Sequence, residues 1–421
     1  MAKKSLRIFI VGFFVLALAT ALIAAGDNLS LIFQFDSKDG ANPLSGVVAD
    51  AAGNLYGTTT FGGNCSNKGC GVVFEVSQSS GTWTETVIYN FQGGDDGLYP
   101  TNGLVFDSEG NLYGTTAGGG GTTGCSGGCG TIYELSPGSS GTWTETILYR
   151  FTDATQNPTQ GTLVMDAAGN FYGVTLGGAN GKGNVYELSP SSSGWTYTDI
   201  FDFSSSTGNF PQSGVILDAA GNLYGTTTQG GDVTGTWGCG TNGCGVVYRL
   251  THSGSGWSYS NLYVFHGPGG DEPLSGLVFD ATGNLYGTTA LGGTATANGY
   301  GTVFELSPKT TGLWKETILH HFTNGTDGGY PAIQLTIDAS GNLYGLSNGP
   351  VFKLIPVSSG GWQFQVIGTL SPSVNIGSTH TPLLRDSAGN LYGTSYDLGN
   401  TFCHSGCGSV FELSPITTVA Q

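Results

Sequence analysis

Asp27-Asn-Leu-Ser-Leu-Ile-Phe-Gln-Phe35 reads as a β-strand with no partner near it in the chain. It matches Trp143-Thr-Glu-Thr-Ile-Leu-Tyr-Arg-Phe151 position by position, and the latter closes a longer repeated unit. That unit opens with Gly103-Leu-Val-Phe-Asp107, continues through Asn111-Leu-Tyr-Gly-Thr-Thr116 and a Gly-rich stretch, and then reaches Gly130-Thr-Ile-Tyr-Glu-Leu-Ser-Pro137. Four short apolar runs with turn signals between them predict four strands, a to d. Nothing beyond the first residues sustains a helical period, so almost no helix is expected.

The segment Gly-Asn-(Leu/Phe)-Tyr-Gly occurs seven times, starting at Gly53, Gly110, Gly169, Gly221, Gly283, Gly341 and Gly389. Four-stranded units of this length stack radially, with large rings filling the wedge between sheets. The seventh unit stops after its strand c, at Phe411-Glu-Leu-Ser-Pro415, so it lacks the strand that the start of the chain has in surplus. The expectation is an all-β, seven-bladed β-propeller of four-stranded antiparallel blades, the last blade closed by the N-terminal strand. Closure of this kind leaves no raw edge to aggregate.

Between strands a and b each unit carries Asp-x-x-Gly-Asn, with Asp50, Asp107, Asp166, Asp218, Asp280, Asp338 and Asp386. A short carboxylate accepts backbone N–H groups of its own turn, and Gly takes the left-handed position, so these are turn residues in preference to metal ligands. If d is outermost, strand a lines the channel, the b–c and d–a loops share one face, and the a–b and c–d turns share the other.

Lys3, Lys4 and Arg7 precede an apolar run from Ile8 to Ala25 that exits through Ala19-Thr20-Ala21 and Ala24-Ala25. This is the pattern of a secretory signal peptide, an uncleaved anchor being the alternative. The expected organisation is a leader over 1–25, one propeller over 27–415 and a short tail over 416–421. Loss of the leader moves the net charge from −17 to −20. A field of that sign excludes a phosphate-binding footprint and opposes anionic lipid surfaces. Secretion, or residence in the periplasm or at the cell surface, is expected, with no nucleic-acid partner, no membrane insertion after cleavage and a monomeric state.

All eight cysteines fall in b–c loops as local pairs: Cys65 with Cys70, Cys125 with Cys129, Cys239 with Cys244 and Cys403 with Cys407. In an exported chain these read as disulfides, each worth at most about 2 kcal/mol and serving to stiffen loop tips. Zinc would need two further ligands per pair, and only His404 lies beside one.

The same face gathers the binding candidates. Ser45, Asn102, Gln160, Ser213 and Ser275 precede strand a, where they are placed to ring the channel mouth. Asp39, Asp95, Asp96, Asp271 and Asp327 lie in d–a links, and Trp237 sits inside the fourth unit's cysteine loop. The aspartates read first as solvated turn residues. Calcium could use them, since it takes clustered carboxylates and carbonyls, but no dedicated calcium-loop spacing is present and no cofactor is expected.

Written out as Asp-x-x-Gly-Asn-Leu-Tyr-Gly-Thr-Thr, then Gly-x-Val-Phe-Glu-Leu-Ser-Pro, then Trp-x-x-x-x-Leu-Tyr-x-Phe, the unit resembles the GloVer tandem repeat of the choice-of-anchor family of exported bacterial proteins. The resemblance runs from Asp27 to Pro415 and implies a secreted or surface propeller without assigned catalytic residues. The chain ends at Thr417-Thr-Val-Ala-Gln421, without the hydrophobic sorting anchor many members carry, which favours free secretion or the periplasm. The order Gly-Gly, Tyr, Trp is also similar to kelch blades, but the period here is longer and the match is the weaker one.

Variation between units concentrates in the loops. The leading expectation is therefore a binding or scaffold propeller that recognises a polysaccharide or protein through its loop face. The alternatives are a carbohydrate-active hydrolase or lyase at the funnel and a structural envelope component. No His-Glu-x-x-His site or sialidase-type Asp box occurs, and paired carboxylates for glycoside cleavage would have to come from Asp95, Asp96 and Asp271.

Overall fold

The computed structural model describes residues 29–415 except 66–68, 154, 155, 157, 159, 160, 236–238, 255, 294–298, 310–313, 371–381 and 397–405. The expected leader and tail, and with them Gln160, Trp237, Cys403 and His404, lie outside the described residues.

Seven four-stranded antiparallel sheets form the blades of a closed propeller. Blade 1 runs from strand a at Val48–Ala49 through b at Leu55–Thr59 and c at Val72–Ser79 to d at Thr82–Asn90. Blades 2 to 6 repeat it over residues 105–150, 164–202, 216–264, 278–321 and 336–369. Blade 7 takes a, b and c from Leu384–Arg385, Leu391–Ser395 and Ser409–Leu413. Its strand d is Leu29–Gln34, paired with strand c from Leu29 opposite Leu413 to Gln34 opposite Ser409. The ring is closed by the two ends of the chain. Among the described residues, no helix is long and apolar enough to cross a membrane.

The closing joint is chemically the same as the other six. Phe35, Tyr392, Cys407 and Val410 from the blade 7 side pack with Val47, Leu55, Phe74 and Val76 of blade 1. At the joint of blades 1 and 2, Tyr56, Val73 and Phe91 meet Leu104, Leu112, Tyr133 and Leu135. Each strand c carries a fully buried ring such as Phe74, and strand b passes beneath it as glycine. A Cβ on Gly57 would stand 2.5 Å from Cζ of Phe74, so the Tyr-Gly pair of the repeat records a packing constraint.

The turn between a and b works as its sequence predicts. Oδ1 of Asp107 accepts the N–H groups of Glu109 (2.9 Å) and Asn111 (2.8 Å), and Oδ2 accepts Asn111 Nδ2 (2.7 Å) and the Tyr113 hydroxyl (2.9 Å). The Asn and Tyr contacts recur at Asp50, Asp166, Asp218, Asp280, Asp338 and Asp386. Burial pushes the Asp107 carboxyl up, but the Asn111 and Tyr113 hydrogen bonds outweigh it and hold the group below the usual range.

Strand a is shorter than expected: it pairs with b over two residues, as Val48 with Tyr56 and Ala49 with Leu55. The preceding backbone is committed sideways, to the neighbouring blade. Thr394 Oγ1 of blade 7 donates to the Ser45 carbonyl (2.6 Å), Thr58 Oγ1 to that of Asn102 (3.1 Å) and Thr226 Oγ1 to that of Ser275 (3.0 Å). These bonds stitch successive blades near the axis.

Phe35 is fully buried and meets Phe33 and Phe74 edge-on at 5.2 and 5.0 Å, whereas Leu31 on the same strand is 37% exposed. Phe35→Ala is expected to cost about 3–5 kcal/mol in urea unfolding. Leu31→Ala is expected to cost well under half of that, and equal costs would contradict the closure.

Candidate functional site

On the face that carries the b–c loops and d–a links, five of the described links share one strained residue. Asn42, Tyr99, Phe210, Glu272 and Tyr330 each stand directly before a proline, with φ of 57, 59, 56, 54 and 53°. A side chain in this left-handed region costs roughly 1–2 kcal/mol, so the surroundings must hold it there.

They do so from both sides. The N–H of Asn42 donates to the Cys407 carbonyl (2.7 Å), that of Tyr99 to Cys70 (2.9 Å) and that of Glu272 to Cys244 (3.3 Å). Each acceptor is the second cysteine of a b–c loop. In the units without cysteine, the Lys182 and Tyr300 carbonyls receive Phe210 (2.9 Å) and Tyr330 (2.8 Å). The carbonyls of Asn42, Tyr99, Phe210 and Glu272 then accept N–H groups of Thr60, Ala117, Thr228 and Ala290, just beyond the next strand b. Asn42, Tyr99, Phe210 and Glu272 are thereby clamps between two blades, while at the fifth link the next blade's Asn348 N–H reaches the Gly329 carbonyl (2.8 Å), one residue before Tyr330.

Three of those side chains form aromatic or cationic contacts with the facing loop. Tyr99 meets Phe61 edge-on at 5.2 Å, Tyr330 meets Tyr300 at 5.7 Å, and Lys182 Nζ lies 5.9 Å from the Phe210 ring centre. Tyr330 is 42% exposed, and the other four are partly exposed. Disulfides join Cys65 to Cys70, Cys125 to Cys129 and Cys239 to Cys244, with Cα separations of 5.7, 5.1 and 5.3 Å. Cys407 is also disulfide-bonded, and its expected partner Cys403 lies outside the described residues.

The residues proposed from sequence occupy a different layer. Ser45, Asn102, Ser213 and Ser275 are buried beneath the mouth. Ser45, Ser213 and Ser275 bond the hydroxyls of Thr58 (2.9 Å), Thr226 (3.0 Å) and Thr288 (2.9 Å), and Asn102 bonds Thr115. Asp39 accepts the Asp36 N–H (2.8 Å), and burial raises its carboxyl. Asp96 accepts Gly97 N–H (2.6 Å), Gln92 N–H (2.7 Å) and the Tyr89 hydroxyl (3.2 Å); Asp95 is exposed. Asp327 accepts Thr323 Oγ1 (2.6 Å), the N–H groups of Thr323 and Gly325, and His320 Nε2 (3.1 Å). Asp271 is buried at 8% exposure, within 4.8 Å of the Cys239 and Cys244 sulfurs, and burial with the Glu272 charge pushes its carboxyl up to about 6. Asp95 and Asp96 belong to the link between blades 1 and 2, and Asp271 to that between blades 4 and 5, so the structure does not bring them together as a catalytic pair.

Three acids that no sequence signal had singled out stand two residues after a strand-d Trp. Glu85, Glu145 and Glu316 each have a buried Oε1 without a hydrogen-bond partner among the described residues. Burial, reinforced for Glu85 by Asp39 and Asp36 and for Glu145 by Asp96, pushes their carboxyls up to about 8, 7 and 7. A carboxyl raised in the folded state stabilises most below its unfolded value, and that contribution is lost as pH climbs through the folded one. Asp107, Asp166, Asp218, Asp280 and Asp338, held low by the hydrogen bonds of their turns, act oppositely and lose theirs as pH falls. Thermal stability is therefore expected to peak in mildly acidic buffer and to decline from about pH 5 to pH 8. The triple variant Glu85→Gln, Glu145→Gln, Glu316→Gln should flatten that decline, and an unchanged slope would refute the assignment.

The family model of the Gloeobacter/Verrucomicrobia repeat matches residues 19–237, 121–347 and 235–421. Curated proteins give no match to the chain. Among solved structures, 92% of the chain superposes on the whole of a catalytically inactive virginiamycin B lyase from Staphylococcus aureus crystallised with quinupristin, at TM-score 0.54 and 14% identity. It also superposes, over 93% of its length, on the extracellular domain of a hybrid two component system from B. thetaiotaomicron, at TM-score 0.56 and 13% identity, spanning 41% of that chain. A second such extracellular domain gives 0.55 at 12% identity, with 91% and 40% covered. At these identities the likeness is one of fold. With matched repeats across nearly its whole length, the chain belongs to the Gloeobacter/Verrucomicrobia repeat family.

Proposed function

We propose that this protein is an exported binding propeller whose loop face engages a polysaccharide. The reading is carried by the five non-glycine residues held in left-handed backbone at equivalent links. Strain imposed by the blade contacts at one place in a repeat fixes partly exposed side chains at equivalent points of the rim, the preorganisation a binding surface uses. The chemistry of the rim suits sugar. Aromatic rings at Tyr99, Phe61, Tyr330, Tyr300 and Phe210 offer flat faces for C–H groups, and Asn42 and Glu272 offer hydrogen-bonding partners for hydroxyls. Several weak contacts around a ring add up when one extended chain crosses them. Disulfides in the loops support an oxidising compartment. A hydrolase reading would need two carboxyl groups in one cleft, and the candidates for that pair sit three blades apart.

Glycan-array binding by the mature domain is the first test. Tyr99→Ala with Tyr330→Ala should lower apparent affinity at least about tenfold, each alone only a few-fold. Tyr330→Gly separates function from folding, because glycine relieves the left-handed strain. It should hold or raise the melting temperature, by up to about 1 kcal/mol in stability, while weakening binding. Full glycan binding by both variants would overturn the proposal, as would binding only to a protein ligand.

A further inference from the structure

The central channel encloses about 630 Å³, walled by strand-a residues that include Val48, Val164, Ile216, Val278 and Leu384. That volume and that apolar wall suit a small organic molecule. Apart from Thr162, the polar side chains of the wall cluster on blades 6 and 7, at Gln334, Thr336, Asp338 and Arg385. Gln334 Nε2 already donates to the Leu277 carbonyl (2.8 Å) and Thr336 Oγ1 to that of Leu383 (2.5 Å), while Asp338 is engaged by its turn. Arg385 remains.

Its position is unusual within the repeat. The residue just before the turn aspartate is Ala49, Phe106, Met165, Leu217, Phe279 or Ile337 in the other blades. The Arg385 guanidinium lies 5.6 Å from the ring centre of Tyr344, and Lys353 Nζ lies 5.3 Å from the same centre. Lys353 itself stands where Glu75, Glu134, Glu187, Glu305 and Glu412 stand in five other blades. Among the described residues, neither cation has a carboxylate within 4.0 Å, the one such pair being His320 with Asp327. Arg385 Nε is buried without a hydrogen-bond partner among them. A chain with 29 acidic and 12 basic residues has carboxylates to spare for pairing. A guanidinium N–H left buried and unpaired costs free energy that an anion would recover.

We propose that the channel binds a small organic monoanion, its apolar body among the strand-a side chains and its acidic head at Arg385, with Lys353 adding positive charge nearby. The net charge of −17 repels polyanions far more than single charges, so one acidic group on an apolar body is the favoured class. The site is separate from the loop face and does not depend on the polysaccharide reading.

Titration with the fluorescent sulfonate 1-anilinonaphthalene-8-sulfonate, competed by decanoate, decyl sulfate and decanol, tests it on the mature protein. Saturable binding near one per chain is expected. Displacement by decanoate assigns a carboxylate head and displacement by decyl sulfate a sulfate-type one, with decanol weaker by about tenfold or more. Arg385→Gln should weaken anion binding about tenfold or more, Arg385→Lys less, and Tyr99→Ala on the loop face not at all. Val278→Trp, which fills the channel without touching the cation, should abolish it. Melting curves verify that each variant folds. Absence of saturable binding, equal displacement by decanol, or a folded Arg385→Gln protein with unchanged affinity would overturn the proposal.

Discussion

Five residue pairs between the first strand and the last hold the ring closed, from Leu29 opposite Leu413 to Gln34 opposite Ser409. A propeller is a stack of wedges, each of which buries two faces only if it has two neighbours. Without Leu29–Gln34, blade 7 would present strand c as an open edge, and Phe35 would leave the cluster that also holds Phe74, Val410 and Tyr392. That edge would be a template for pairing with another chain. The cost would not stop at blade 7, because the same cluster supplies the blade 1 face with its partner.

Closure also sorts the chemistry onto surfaces. With strand d outside and strand a inside, the b–c loops and d–a links are forced onto one rim, where each link crosses the gap between blades. There the disulfides do more than shorten a loop. The carbonyls of Cys70, Cys244 and Cys407 hold the N–H groups of Tyr99, Glu272 and Asn42. A stiffened loop tip therefore fixes the strained residue that projects from the next link. The opposite face carries the Asp-Asn-Tyr turns, whose carboxylate oxygens are already engaged by donors from the turn and by the strand-b tyrosine.

The repeat made the blade count, the turn aspartates and the surplus first strand legible, because each is a local pattern copied seven times. The site was less legible. Ser45 and its equivalents read as polar residues near a channel mouth, but the strand-b threonines bond to them and bury them, a pairing between segments some 13 residues apart that no local pattern announces. The left-handed residues were hidden for another reason. A residue before proline is usually extended, so an aromatic in that place, as at Tyr99, Phe210 and Tyr330, suggests no special backbone. The interblade hydrogen bonds impose it. Arg385 departs from an otherwise apolar column, and its meaning depends on a buried Nε without a hydrogen-bond partner among the described residues, which no sequence pattern announces.

Amide hydrogen exchange across the two chain ends tests closure most directly. Residues 29–34 and 409–413 should exchange slowly and together, at rates comparable to the c–d pairs of the other blades. Fast exchange of 29–34 beside a protected 409–413 would contradict it, and with it the placement of both faces.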